Sequence, residues 1–171
     1  MARRPREPFH RTRRPSPRSR LANGIVAGAV ATLARELVSS LDVAIRGRPM
    51  SETHQRTVGR LADLADVSLG PAEPAANRRA GLGPLLGFAN GVLAVTLFVA
   101  LTGRRRPPTP VAGVLVGVGA LIIADGPMAA LGATNPRRWQ AQDWFEDAFP
   151  YVAYSIAAMA TLRRLERATG G

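Results

Sequence analysis

Four stretches of the chain are long and apolar enough to cross a lipid bilayer, and this feature constrains the fold more than any other. They cover residues 21–45, 80–102, 111–131 and 145–162. A membrane-spanning helix needs roughly 20 predominantly apolar residues at about 1.5 Å of rise each. The second stretch carries no charge and the third carries only Asp125, whereas the first carries three charged side chains and the fourth begins with two acids.

These stretches predict an all-α integral membrane bundle of four transmembrane helices. In lipid every backbone polar group must be hydrogen-bonded within the chain, so spans of this length are helical. A β-barrel would need apolar and polar residues alternating with a period of two, and no stretch has that pattern. Pro84, Pro127 and Pro150 lie near the ends of apolar stretches, where a helix can begin or bend at small cost. We expect the helical domain to cover residues 21–165, with a short tail over residues 166–171.

The composition excludes several classes of site. The chain has 171 residues, a net charge of +11, 23 basic residues that are all arginine, and no cysteine. Disulfides, thiolate zinc sites and cysteine nucleophiles are therefore excluded. His10 and His54 both lie outside the spans, so a histidine-built metal site is not expected. No zinc-protease, serine-hydrolase or phosphate-loop motif is present, which predicts a non-enzymatic protein without a cofactor.

Residues 1–20 are predicted to form a disordered, arginine-rich cytoplasmic tail. They include eight arginines and four prolines and have almost nothing apolar to bury. The charge can act as a topology signal, or bind anionic lipid headgroups at about 1 kcal/mol per basic residue. Nucleic-acid binding is the least favoured role, because no aromatic platform accompanies the arginines. Arg35 and Glu36 interrupt the apolar run that a cleaved signal peptide would need, so we expect an uncleaved first helix.

The arginine distribution predicts that both termini lie in the cytoplasm. With the N-terminus inside, the inner segments hold fourteen arginines and the outer loops hold eight. In the first outer loop, residues 51–67, Val58, Leu61 and Ala65 fall on one helical face. They predict an amphipathic helix, capped by Ser51, on the membrane surface or across the mouth of the bundle.

Small residues recur at four-residue spacing in three of the four spans. In lipid, such residues let helix backbones approach one another closely. The spacing does not distinguish packing within one chain from packing between copies, so a homo-oligomer or another membrane partner stays open. The glycines expected at helix contacts are Gly24, Gly28, Gly83, Gly87, Gly91, Gly113 and Gly117.

Ionisable residues within the spans are the main indication of function. Arg35 and Asp125 each lie fourteen residues from the inner end of their spans, at a depth of about 21 Å. Glu36 and Asp147 lie one residue deeper, at about 22 Å. A charge this deep costs roughly 2.5–3.5 kcal/mol, so Arg35 is expected to pair with Glu36, Asp125 or Asp147, and we predict that it lies against one of the two aspartates. The full predicted cluster is Arg35, Glu36, Asp42, Asp125, Asp143, Glu146 and Asp147.

Two interpretations of this polar cluster are open. It can be an ion-pair clamp that locks the helices together, or a hydrated acidic site for a proton, a cation or a cationic solute. The excess of carboxylates over arginine supports the second interpretation, since unpaired acids can titrate. The corresponding functions are a non-enzymatic accessory or stress-related membrane protein, which the sequence favours, and a small transporter or channel-like oligomer as the alternative.

Residues 134–154 form the most distinctive local sequence. Trp139 and Trp144 suit a membrane interface, where the ring is half-buried and its N–H stays in water. Tyr151 is predicted to join them as an interface anchor.

Four motifs carry a resemblance to a known family. They are LDVAIRGRPMSETHQRTVGRLA, NRRAGLG, ADGPMAALGATNPRRW and DWFEDAFPYVAYS, and they touch most of residues 37–155. The chain resembles a family of small uncharacterised actinobacterial membrane proteins, distantly like the YagU-type inner-membrane family. The resemblance implies four helices in a bacterial plasma membrane and implies no reaction. Tyr151 stands where that family often has histidine, and Arg35 stands where an apolar residue is usual.

Overall fold

The computed structural model is all-helical and describes residues 16–103, 105–132, 135 and 140–170. Its described residues form five helices, which are α1 Pro17–Arg46, α2 Thr53–Leu64, α3 Ala72–Thr102, α4 Thr109–Ala130 and α5 Ala141–Gly170. Of these, α1, α3 and α4 are long and apolar enough to cross a membrane. The uncharged run of α5 covers only residues 148–162, which is shorter than a full span. The all-α class is confirmed, and the fourth span stays a prediction.

Both ends of the helical region extend into the predicted tails. The side chain of Ser16 accepts a hydrogen bond from the Ser19 N–H at 3.1 Å, and Pro17 takes the first helical position of α1. Serine before a helix and proline at its first position together favour the start of a helix. The prediction missed this start because it treated the segment as a disordered, arginine-rich tail. Residues 1–15 of the predicted tail lie outside the described residues. At the other end, α5 continues to Gly170.

The three prolines that were predicted to lie where a helix begins or bends are all within helices. Pro84, Pro127 and Pro150 all lie inside helices, and α3 begins at Ala72, twelve residues before Pro84. A proline removes one backbone hydrogen bond, and packing against neighbouring helices can compensate for that loss. Glu73 in the first turn of α3 is also favourable, because it faces the positive end of the helix dipole.

Helix α2 is shorter than the predicted amphipathic helix, and it is capped differently. Glu52 rather than Ser51 stands at its N-cap, without a side-chain cap hydrogen bond. Beyond its C-terminus the chain turns at Asp66, which has a φ of 53°. Thr57 and Val58 are its buried residues.

Helix α2 packs antiparallel along the first half of α3, where glycines leave room for it. A Cβ atom added at Gly83 would lie 3.4 Å from the Cα of Gln55, and one at Gly87 would lie 3.0 Å from the Nε2 of His54. Gly83 and Gly87, which were predicted to lie at helix contacts, therefore pack against α2.

Helices α1 and α3 are in backbone contact. A Cβ atom at Gly28 would lie only 2.8 Å from the Cα of Val92, and one at Gly24 would lie 3.2 Å from the Cα of Thr96. Thr32 of α1 fills the space beside Gly91 of α3. Because Gly24, Gly28 and Gly91 have no side chain, the backbones of α1 and α3 can touch. Small residues allow the same close approach between helices in lipid.

Helix α5 packs mainly against α1 and α4, and it touches α3 at one point. The hydroxyl group of Tyr154 donates a hydrogen bond to the carbonyl of Gly91. Gly117 of α4 faces Ser155, and a Cβ atom at Gly113 would lie 3.8 Å from the Cγ of Met159.

The side-chain sizes are arranged as expected for helices that face lipid. Much of the core is alanine, whereas many large apolar side chains point outward. Soluble proteins rarely expose so much continuous apolar surface. The six outward residues Leu33, Leu37, Leu85, Val114, Ile122 and Ile156 are each between 62% and 65% exposed. The three candidate spans and this surface indicate a multi-pass membrane protein.

Gly28→Ala tests the α1–α3 contact. The added methyl group would overlap the backbone of Val92, so we expect a loss of about 1–3 kcal/mol in the free energy of unfolding. The matched control is Gly119→Ala, where a Cβ atom would meet nothing within 4 Å and the helix should gain up to about 1 kcal/mol. Unfolding both variants in mixed micelles measures the difference, and equal stability would contradict the contact.

Candidate functional site

A polar cavity of about 350 Å³ lies where α1, α2, α4 and α5 meet. Five of the seven residues of the predicted polar cluster line it. The charged and histidine side chains that line it are Arg35, Glu36, Arg48, His54, Arg56, Asp125, Glu146 and Asp147. Asp42 lies next to it, paired with Arg48, and the side chain of Asp143 lies outside the described part of the chain.

Helical spacing brings these residues to one place. On α5, Asp147 and Tyr151 are four residues apart and therefore share a face. On α1, Glu36 lies directly after Arg35, and both border the cavity. Asp125 reaches it from α4 and His54 from α2. The cavity therefore depends on four helices.

An ion-pair network joins α1 to α5 beside the cavity. Arg46 pairs with Glu146 at 2.8 Å, and Arg48 pairs with Asp42 at 2.8 Å. Arg48 also lies 3.7 Å from Glu146, and Arg46 lies 3.6 Å from Asp42. Four residues thus form a connected network, which stabilises more than isolated surface pairs do. The sequence prediction had counted Arg46 and Arg48 only as topology charges.

Arg35 forms an ion pair with Glu36, one of its three predicted partners, and none with Asp125 or Asp147 among the described residues. Its guanidinium group pairs with the neighbouring Glu36 and lies 5.3 Å from the ring centroid of Tyr151. An aromatic face attracts a cation, particularly where both are shielded from water. Glu36 and the ring together replace Asp125 and Asp147 as the partners of Arg35.

Asp125 and Asp147 instead interact with each other. Their carboxyl groups lie side by side, and no described arginine is within ion-pair distance of either. The Oδ2 atom of each is buried and has no hydrogen-bond partner among the described residues. A buried polar atom without a partner costs about 1–3 kcal/mol, so this acid pair destabilises the protein unless something satisfies it.

His54 is the site residue that the sequence analysis missed. Its Nε2 atom is also buried without a hydrogen-bond partner, and its ring lies over Gly87. Burial, and then the nearby charge of Arg35, lower the pKa of His54 below its usual 6.5, while Glu36 opposes the change. Only the folding of α2 back onto α3 brings this residue to the cavity. Gly83 and Gly87 of α3, against which α2 packs, were the sequence feature that could have indicated this position of His54.

The aromatic residues divide between surface and core. Trp144 on α5 is 44% exposed, which fits an interface position, and Trp139 lies outside the described residues. Tyr151, predicted as an interface anchor, is only 8% exposed and belongs to the core. It lies one turn before the buried Tyr154, on the face of α5 that Arg35 covers.

The arrangement suits a single positive charge better than a multivalent metal. Among the described residues, no three histidine, aspartate or glutamate side chains have the geometry to hold a metal ion. The acid pair and His54 can accept protons or donate oxygen and nitrogen contacts to a small cation.

Comparisons with protein-family models, curated proteins and solved structures found no match to this chain. The resemblance to the YagU-type membrane proteins therefore stays a prediction.

His54 predicts an acid-dependent loss of stability. Since its pKa is lowered in the folded protein, the unfolded chain binds more protons as the pH falls below 6.5. The contribution of neutral His54 to the free energy of unfolding is therefore fully present above pH 6.5. It declines as the pH falls toward the lowered pKa, by at most about 1.4 kcal/mol per pH unit. Unfolding at pH 7.5 and 5.5 should show a smaller pH effect in His54→Gln than in the natural protein.

The same comparison controls for the other charges at the cavity. Arg35 and Glu36 of α1, Asp125 of α4 and Asp147 of α5 are unchanged in His54→Gln, so the difference between the two proteins isolates the histidine. Identical pH dependence would show that His54 is not held in this environment.

Proposed function

We propose that the chain is a small plasma-membrane transporter or channel-like oligomer that binds a proton or a small monovalent cation in the polar cavity. The sequence alone favoured an accessory or stress-related protein. The cavity favours transport, because an accessory bundle would gain nothing from polar groups that stay unpaired. The proposed protein is non-enzymatic and needs no resident cofactor.

One observation carries this proposal. Three buried polar atoms from three helices border one cavity, namely His54 Nε2, Asp125 Oδ2 and Asp147 Oδ2, and none of them has a hydrogen-bond partner among the described residues. Ionisable groups at membrane depth are costly and normally pair with one another or line a pathway for an ion. A purely structural clamp would satisfy these atoms, as the nearby network of Asp42, Arg46 and Glu146 satisfies its own.

The charges that line the cavity sum to one uncompensated negative charge, which one positive charge would neutralise. With every group ionised and His54 neutral, four carboxylates line it against three arginines. Arg35 pairs with Glu36, and Arg48 pairs with Glu146. The acid pair and Arg56 remain, so one negative charge is left uncompensated. Two adjacent carboxylates repel each other strongly where water is scarce, so one proton or one monovalent cation between them removes the repulsion.

The proposed topology has four spans, with α5 as the fourth. Tyr154, Ala158 and Leu162 of α5 are buried, while Val152 and Ile156 point outward, as on the other long helices. Its acids Glu146 and Asp147 face the cavity and so avoid lipid. We place both termini in the cytoplasm, from the arginine distribution, and α2 across the outer mouth of the bundle. The N-terminal arginines would then meet anionic headgroups.

Asp125→Asn and Asp147→Asn test the proposal in proteoliposomes. The natural chain should carry a proton, potassium or sodium flux, measured with an internal pH dye and ion-selective fluorophores. Each variant should lower that flux at least about tenfold, since the change removes the charge that attracts the cation. Asp63→Asn on the exposed side of α2 makes the same chemical change outside the cavity and should keep the flux.

Two results would overturn the transport function. One is the absence of any flux by folded natural protein at several protein-to-lipid ratios. The other is a flux that Asp125→Asn and Asp147→Asn leave equal to that of Asp63→Asn. An absent flux together with a stoichiometric membrane partner in native membranes would establish the accessory role instead.

A further inference from the structure

We propose that a second, apolar groove between α4 and α5 binds one anionic phospholipid, with an acyl chain along the groove and the phosphate at Arg163. This site is separate from the transport proposal and does not depend on it. It rests on the proposed topology in two respects, since α5 is then the fourth span and the headgroup lies on the cytoplasmic side.

The groove has the size and chemistry of a lipid site. Its volume is about 770 Å³, within the range of about 300–1,000 Å³ that is usual for ligand pockets. Gly113 and Gly117 open its α4 side, and Val152 and Ile156 form part of its α5 side. Arg163 is the only charged residue that lines it among those described.

The length of the groove matches one leaflet rather than a whole bilayer. On α4 it runs from Thr109 to Leu121, which is about 18 Å of helix. One leaflet of the hydrocarbon core is about 15 Å thick, half of the roughly 30 Å total. A helix from a second copy of the chain would need a groove of nearly twice this length.

The charge at one end selects an anionic headgroup. Arg163 donates a hydrogen bond to the hydroxyl group of Thr109, which holds the guanidinium group at the N-terminal end of α4. A guanidinium group matches phosphate oxygens with two parallel hydrogen bonds. The N-terminus of α4 adds positive partial charge beside it. In the proposed topology this end faces the cytoplasm, where anionic lipids are attracted by basic residues.

Retention of phosphatidylglycerol and phosphatidylcholine by the purified full chain tests the headgroup site. Native mass spectrometry of the protein titrated with each lipid should show one tightly held phosphatidylglycerol and much weaker phosphatidylcholine. Arg163→Gln should weaken phosphatidylglycerol binding about tenfold, the loss expected for a charge-assisted contact. Arg164→Gln removes the same charge from an exposed residue that does not line the groove, and it should bind normally. Equal retention of both lipids, or equal effects of the two variants, would overturn the proposal.

Gly113→Leu tests the acyl-chain part of the site. A Cβ atom there makes an ordinary contact with Met159, so the backbone can accept the change while the longer side chain fills the groove. We expect Gly113→Leu to lose the bound lipid and Gly119→Leu, where the space is open, to keep it. If Gly113→Leu instead converts a dimer to a monomer by light scattering with lipid retention unchanged, the groove is occupied by a second copy and the proposal is wrong.

Discussion

Gly91 is the point on which the packing of three helices depends. Its missing side chain admits Thr32 of α1, and its carbonyl accepts the hydrogen bond from Tyr154 of α5. Helices α1 and α5 also pack directly and extensively against each other. Arg35 therefore arrives over the ring of Tyr151, and the acid pair comes to lie beside it. Arg35 and Tyr151 thus lie about one turn from the residues that meet at Gly91, Thr32 and Tyr154.

The polar cluster separates into two parts with different physical roles. Asp42, Arg46, Arg48 and Glu146 are mutually paired and hold α1 against α5. One buried polar atom of each acid and of His54 has no hydrogen-bond partner in the described part of the chain. The clamp and the ion site, which were competing interpretations of the sequence, therefore describe different residues of one cluster. The paired part can offset the cost of the unpaired part, so the bundle can retain a destabilising site.

Hydropathy was enough to predict α1, α3 and α4, because length and apolar content decide whether a helix can span a bilayer. Counting helical rise also placed Arg35, Asp125 and Asp147 at one depth, and the structure brings all three to the cavity. Of the partners predicted for Arg35, Glu36 is confirmed, whereas an ion pair with Asp125 or Asp147 is not seen among the described residues, since that choice depends on side-chain packing. His54 was missed because its position depends on α2 folding back onto α3, a tertiary contact with no local periodic signal. Pro84, Pro127 and Pro150 can lie within helices because neighbouring helices compensate for the lost backbone hydrogen bond.

The position of α2 is the central claim, since without it His54 does not reach the cavity. The chain has no cysteine, so Gln55→Cys combined with Gly83→Cys introduces the only two thiols. A Cβ atom at Gly83 would lie 3.4 Å from the Cα of Gln55, which fits the close approach that a disulfide requires. Mild oxidation in native membranes should therefore form an intramolecular disulfide, with each single-cysteine variant as the control for links between copies. Thiols that stay reduced in the folded double variant would contradict the account.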